Sequence, residues 1–176
     1  MAIPKSQKDA YSYCITHTLK QYLQTKFNSE LHILCYQSLP SEVATSTLFK
    51  QQDSHAYYAP VTHTSGDMHF LHVLPNTVWQ AGNFNIIEPS DGKQWEITDS
   101  PAILLCPVVG FDRHGNRIGM GKGCFDRWLT LNRPHIDLII GLAFSTQECE
   151  SIPHEQHDIP LDAVITEKGF ISCLNT

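Results

Sequence analysis

The spacing of apolar residues changes several times along the chain, and each change marks an element. Ile15, Leu19, Tyr22 and Leu23 recur at helical intervals, which predicts an amphipathic helix over 10–26 that docks one face on a sheet. Leu31 to Tyr36 is a short apolar run and reads as a strand. The polar turn Ser38-Leu39-Pro40-Ser41 then offers an N-cap for a helix starting near Glu42, so this stretch is expected to be a strand-loop-helix unit. His55 to Val61 and His69 to Leu74 read as strands around the turn Thr64-Ser65-Gly66-Asp67, and the Pro-, Gly- and Asn-rich stretch from Pro75 to Gly92 predicts nothing regular. Ala102 to Val109 is nearly unbroken in its apolarity, the pattern of a strand covered on both faces and therefore central. A glycine-rich loop (Gly110 to Gly123), a short helix (Cys124 to Leu131), a second buried strand (Asp137 to Phe144), a loop (Ser145 to Pro160) and a last strand (Ala163 to Thr166) follow.

Strands alternating with helices predict an α/β fold. The expected form is a mostly parallel open sheet with helices on both faces, a Rossmann-like three-layer arrangement. The 176 residues contain no repeat, low-complexity tract or linker, so residues 1–176 are expected to form a single domain. That length is enough to bury a core without disulfides or a structural metal.

Charge and cysteine usage narrow the class of partner. The net charge is −6 and the 12 Lys and Arg are scattered, so a nucleic-acid backbone would meet little counter-charge and no nucleic-acid partner is expected. No apolar run approaches the ~20 residues that span a bilayer, and Met1 to Lys8 is polar without a signal-peptide core, which predicts no membrane partner and a cytoplasmic chain. The 6 cysteines are widely spaced with no Cys-x-x-Cys pair, as expected of reduced thiols. His69/His72 and His154/His157 share a three-residue spacing, but a transition-metal site needs about four convergent ligands.

Chemistry concentrates between Phe111 and Arg127. Open α/β sheets bind ligands beyond the carboxyl ends of their strands, and this loop lies there. Gly119, Gly121 and Gly123 lack Cβ atoms, so backbone amides can turn toward an anion, and the loop opens a helix whose N-terminus favours phosphate. Lys122 and Arg117 add positive charge, and Asp126 stands one turn into the helix, where it suits a magnesium ion against phosphates. The spacing is neither that of a P-loop nor that of the dinucleotide fingerprint. Without further support, a tight strand-helix turn with solvated charges explains the same residues.

The order Gly115-x-Arg117-x-Gly119-x-Gly121-x-Gly123-x-x-Asp126-Arg127, preceded by Phe111-Asp112, resembles the signature of the 5-formyltetrahydrofolate cyclo-ligase family. Ser41-Glu42-Val43, Asn85-Ile86-Ile87-Glu88-Pro89 and Ile152-Pro153-His154-Glu155-Gln156-His157-Asp158 resemble further family elements in the family's order. The resemblance implies an enzyme using ATP and Mg2+. ATP phosphorylates the formyl oxygen of 5-formyltetrahydrofolate, the neighbouring nitrogen closes the ring, and 5,10-methenyltetrahydrofolate, ADP and phosphate result. It implies that Arg117, Ile118, Gly119, Met120, Gly121, Lys122, Gly123, Cys124 and Phe125 line the ATP phosphates, with Lys122 and Arg117 as catalytic cations. Met120 to Cys124 also face the folate, Glu42 bonds the pterin, Phe84 stacks on it, and Asp126 and Asp158 hold magnesium.

Two departures keep a second class open. The family often has Tyr-Tyr before the motif aspartate, where this chain has Cys124-Phe125, and the family's basic N-terminal helix is expected to be shortened here, leaving Lys5 and Lys8. A degenerate relative that binds folate, nucleotide or a protein partner without turnover fits these departures. Sugar-phosphate isomerases on a similar sheet are a weaker match to the loop's charges.

Overall fold

The computed structural model describes residues 3–50, 53–155 and 158–173. In chain order its regular elements are α1 (Lys5–Lys26), β1 (His32–Cys35), β2 (Ala56–Thr62), β3 (Met68–His72), β4 (Trp79–Ala81), β5 (Ile87–Pro89), β6 (Ala102–Pro107), β7 (Gly110–Phe111), β8 (Arg117–Ile118), α2 (Cys124–Asn132), β9 (Leu138–Leu142), β10 (Ala163–Thr166) and β11 (Gly169–Ser172). Seven strands form the main sheet in the order β11-β10-β9-β6-β1-β2-β3. The inner five are parallel, and β3 and β11 close the two edges antiparallel.

Strand alternation divides the core into two layers. Ile33 and Cys35 of β1, Ile103 and Leu105 of β6, and Ile140 and Leu142 of β9 face one side, where Ile15, Leu19 and Leu23 of α1 cover them. Leu34, Leu104, Cys106 and Ile139 face the other side, against Trp128 and Leu129 of α2. Helices on both faces of a mostly parallel sheet are thus what the continuous apolar runs dictate, because a central strand buries both rows of side chains. Phe70 and Trp128 meet edge to face at 5.0 Å and tie α2 to the β3 edge.

Four expectations change. No helix starts near Glu42, and Leu48–Lys50 forms only a short 3-10 turn. Side chains close this loop instead. Thr45 Oγ1 donates to the Tyr36 carbonyl at 2.7 Å, Tyr36 donates to the Val43 carbonyl at 3.1 Å, and the Ser12 hydroxyl accepts from the Ala44 amide at 3.0 Å. With backbone groups satisfied across the loop, the helical ladder has lost its partners. The second change lies in the irregular 75–92 stretch, where β4 and β5 form a small antiparallel ribbon. Third, the glycine-rich loop contains the hairpin β7–β8. Fourth, β11 follows the strand expected to be last. Strands of two to four residues carry too little alternation to be read in sequence.

Candidate active site

The sheet order turns back between β1 and β6, so the loops leaving their carboxyl ends diverge and open a crevice at a topological switch point. Residues 36–47 follow β1 and residues 108–123 follow β6 on this edge. The turn after β2 and the segment 143–162 after β9 join them there.

The glycine-rich segment is built on Asp112, which is fully buried. Its carboxylate accepts from the amides of His114 and Asn116, from Asn116 Nδ2, and from the Ile152 amide, all at 2.9–3.0 Å. Burial pushes the Asp112 carboxyl up, but these bonds more than offset it and hold it below its ordinary range. One side chain therefore shapes the β7–β8 turn and fastens it to the late loop. Gly115 (φ +85) completes the join, its carbonyl accepting from the Leu161 amide at 2.9 Å, and a Cβ here would stand 2.3 Å from the Leu161 carbonyl.

Beyond the hairpin the glycines behave differently. A Cβ at Gly119 or Gly121 would meet nothing within 4 Å, so no packing demand within the described protein explains the missing side chains. The room lies in front of the backbone, where an anion can approach it. Gly123, left-handed at φ 65, caps α2 and turns the helix amides outward.

Charged groups surround this open stretch. Arg117, whose side chain is only 7% exposed, donates to the Asp126 carboxylate and, at 2.6 Å, to the Ile159 carbonyl. Arg117, Gly119, Asp126 and Asp158 line one cleft, together with Asn116, His154, Ile159 and Pro160. The Asp158 carboxylate also accepts from the Glu155 amide at 2.8 Å, which fixes its turn. Outside that cleft, the Lys122 ammonium sits 5.2 Å over the Phe84 ring. Among the described residues, Phe84 and Asn85 are the non-glycine ones held left-handed, at φ 57 and 61. Such backbone is costly and collects at functional sites. The end of β2 holds this segment, since Thr62 donates to Glu88 at 2.8 Å and accepts from Asn83 at 2.7 Å.

The structure thus brings together Arg117, Gly119, Asp126 and Asp158 in one cleft and Lys122 and Phe84 in one contact. Asp126 pairs with Arg117, although its sequence neighbour Arg127 was the simpler partner. Ile118 and Met120 are exposed on the loop, and Phe125 packs into both core layers. Glu42 lies in the β1 loop rather than on a helix, buried, with its carboxylate accepting from the Leu39 amide at 2.7 Å. Burial pushes the Glu42 carboxyl above its ordinary range, against the pull of that amide and of Lys8. Lys8 itself donates to the neighbouring Pro40 carbonyl. The sequence does not single out Asn116, and it marks His154 only by its spacing from His157 and its place in the late loop. Asn116 and the hub Asp112 are legible in hindsight as the Asp-x-x-Gly-Asn turn signature.

Among the described residues, no three His, Cys, Asp or Glu side chains gather to hold a metal. His69 and His72 point to opposite faces of β3, the first stacked on His63 and the second tilted against Tyr58, because an odd spacing on a strand separates side chains. His157 of the other pair lies outside the described residues. All six cysteines are free, and burial pushes the Cys106 and Cys173 thiols up to about 11. No helix among the described residues is long and apolar enough to cross a membrane.

Fold and site together define a three-layer α/β protein whose candidate site lies where a glycine-rich loop and the loops after β1, β2 and β9 meet at the switch point. A model described as the 5-formyltetrahydrofolate cyclo-ligase family matches residues 8–167. The chain belongs to that family, which is one of ligase enzymes. It is 35% identical over 135 residues to 5-formyltetrahydrofolate cyclo-ligase of Haemophilus influenzae, covering 74% of this chain and 72% of the relative. It is 32% identical to the Escherichia coli protein of the same name, covering 76% of each. The solved structure of Aquifex aeolicus 5,10-methenyltetrahydrofolate synthetase superimposes with a TM-score of 0.78 at 26% identity, covering 99% of this chain and 87% of that one.

Proposed function

We propose that this chain, acting as one domain in the cytoplasm, converts 5-formyltetrahydrofolate to 5,10-methenyltetrahydrofolate with ATP and Mg2+, releasing ADP and phosphate. The observation that carries this reading is the open glycine loop set between two groups of side chains. Arg117, Asp126 and Asp158 stand at one cleft, and Lys122 rests against Phe84 outside it. The empty space over Gly119 and Gly121 and the outward amides of α2 suit a polyphosphate. Two carboxylates offset by one guanidinium fit Mg2+, which is held by one or two carboxylates while phosphates and water complete its shell. Bound there, magnesium would neutralise charge during phosphoryl transfer, chemistry that is mainly positioning and electrostatics.

The chain's own residues divide the remaining work. Arg117, nearly buried and oriented by the Ile159 carbonyl, stays in place without reorganisation when charge develops. Lys122 has its ammonium parked on an aromatic face, from which a phosphate oxygen competes it away. The released Phe84 face is then available to a flat ring such as a pterin, and Glu42, with its raised carboxyl, bonds ring nitrogens from the β1 loop. Cytoplasmic residence is supported by six free thiols, with Cys106 and Cys173 held in their unreactive form.

Appearance of methenyltetrahydrofolate absorbance, with ATP and Mg2+ omitted in turn, tests the reading. Product should require both, and Lys122→Ala should lower kcat about 100-fold. The Arg117–Asp126 ion pair, which occupies both groups in the free chain, favours the second reading, binding without turnover. Folded protein that binds ATP yet forms no product would establish it.

A further inference from the structure

The chain has four arginines, and three are matched to carboxylates. Arg113 pairs with Glu148 at 2.7 Å, Arg117 with Asp126, and Arg133 with Asp162 at 2.9 Å. Among the described residues, no carboxylate lies within ion-pair distance of Arg127. Its guanidinium is nevertheless fixed. Nη2 donates to the Lys122 carbonyl at 2.9 Å and to the Gly66 carbonyl, 61 residues away, at 3.1 Å. Gly66, at φ +86, makes room for it, since a Cβ there would fall 1.7 Å from Nη2. Gly123 flanks the opposite side, where a Cβ would fall 3.2 Å from Nη1.

Neutral carbonyls orient a guanidinium without cancelling its charge. Arg127 therefore adds a full positive charge beside Lys122, at the start of a helix whose dipole end is also positive. Gathering like charges costs energy in a free protein, and an incoming anion repays it. The chain carries 18 Asp and Glu against 12 Lys and Arg, so a carboxylate partner was not scarce.

We propose that Arg127 is a further anion-contact residue. Gly66 and Lys122 hold one edge of the guanidinium so that the Nη1 edge, at Gly123, meets the phosphoryl end of a triphosphate. This rests on the reading of the glycine loop as a triphosphate site. It also assigns a role to the turn after β2, whose Gly66 becomes the seat of that cation.

Calorimetric titration of the full chain with sodium tripolyphosphate tests the contact apart from turnover. Arg127→Met should weaken binding about tenfold, as expected for one charge-assisted contact. Arg127→Lys should recover part of it, because the charge returns without the fork. Gly66→Ala, which keeps the charge but displaces the guanidinium, should weaken binding comparably, while Arg113→Met, removing a charge already committed to Glu148, should leave it unchanged. In the absorbance assay, Arg127→Met should raise KM for ATP about tenfold with kcat within about threefold. Equal tripolyphosphate affinity in wild type and Arg127→Met overturns the proposal, as does a variant that only melts earlier, or a wild type that binds no tripolyphosphate. Wild-type binding that depends on Arg127 without any folate product would sink the proposed reaction and leave this contact standing.

Discussion

Asp112 shows how much one side chain does here. Read as part of a motif, it has no evident task. In the fold it is a fully buried carboxylate that organises a turn and pins the late loop through Ile152. Its carboxyl is held below its ordinary value of 3.8, so the stabilisation is present above about that pH. As pH falls through the lower folded value, protonation removes it. Asp112→Ala strands several amides and should cost about 3 kcal/mol, lowering Tm by roughly 6–12 °C. It should also flatten the acid limb of stability measured by denaturant melts between pH 2 and 5. An unchanged acid limb would mean that other carboxylates govern it. The family resemblance implies Phe84 as a stacking face and Lys122 as a phosphate cation separately. It offered no sign that the two touch, because 38 residues and a ribbon of short strands separate them.

Among the elements, the glycine loop divides into a structural and an open half, which sequence spacing cannot distinguish. Gly115 supports a left-handed turn against Leu161, whereas Gly119 faces empty space. Gly115→Ala should therefore lose about 2 kcal/mol or more, from left-handed strain and contact with backbone. Gly119→Ala should melt within about 0.5 kcal/mol of wild type yet bind tripolyphosphate more weakly. Thermal melts paired with titration separate the two, and a large melting change for Gly119→Ala would show that its space is filled by the protein itself. The missing helix near Glu42 carries the complementary lesson. Ser38, Pro40 and Ser41 are sound helix-start signals. They lost to a set of side-chain bonds from Thr45, Tyr36 and the distant Ser12 that no local window contains.

For the molecule as a whole, ligand and stability should be coupled, because the proposed magnesium carboxylates come from separate elements, Asp126 from the first turn of α2 and Asp158 from the loop after β9. Mg-ATP at about a hundred times its Kd should add about 2.7 kcal/mol, a Tm rise of roughly 5–11 °C. Asp158→Asn retains an acceptor for the Glu155 amide, and relative to its own ligand-free melting it should lose the magnesium-dependent part of the rise. A full rise in that variant would remove Asp158 from the metal site. The chain's apolar runs by themselves determined the central strands, the two covered faces and hence the α/β class, because burying both sides of a strand leaves a continuous hydrophobic signature. The glycine-Arg-Lys-Asp order likewise set where chemistry is expected. Tertiary structure alone decided that Arg117 takes Asp126, that Arg127 has no carboxylate within ion-pair distance among the described residues, and that Lys122 meets Phe84. Those pairings depend on which loops the strand order β11-β10-β9-β6-β1-β2-β3 brings to one edge, and strand order is set by packing between residues far apart in the chain, which local periodicity does not record.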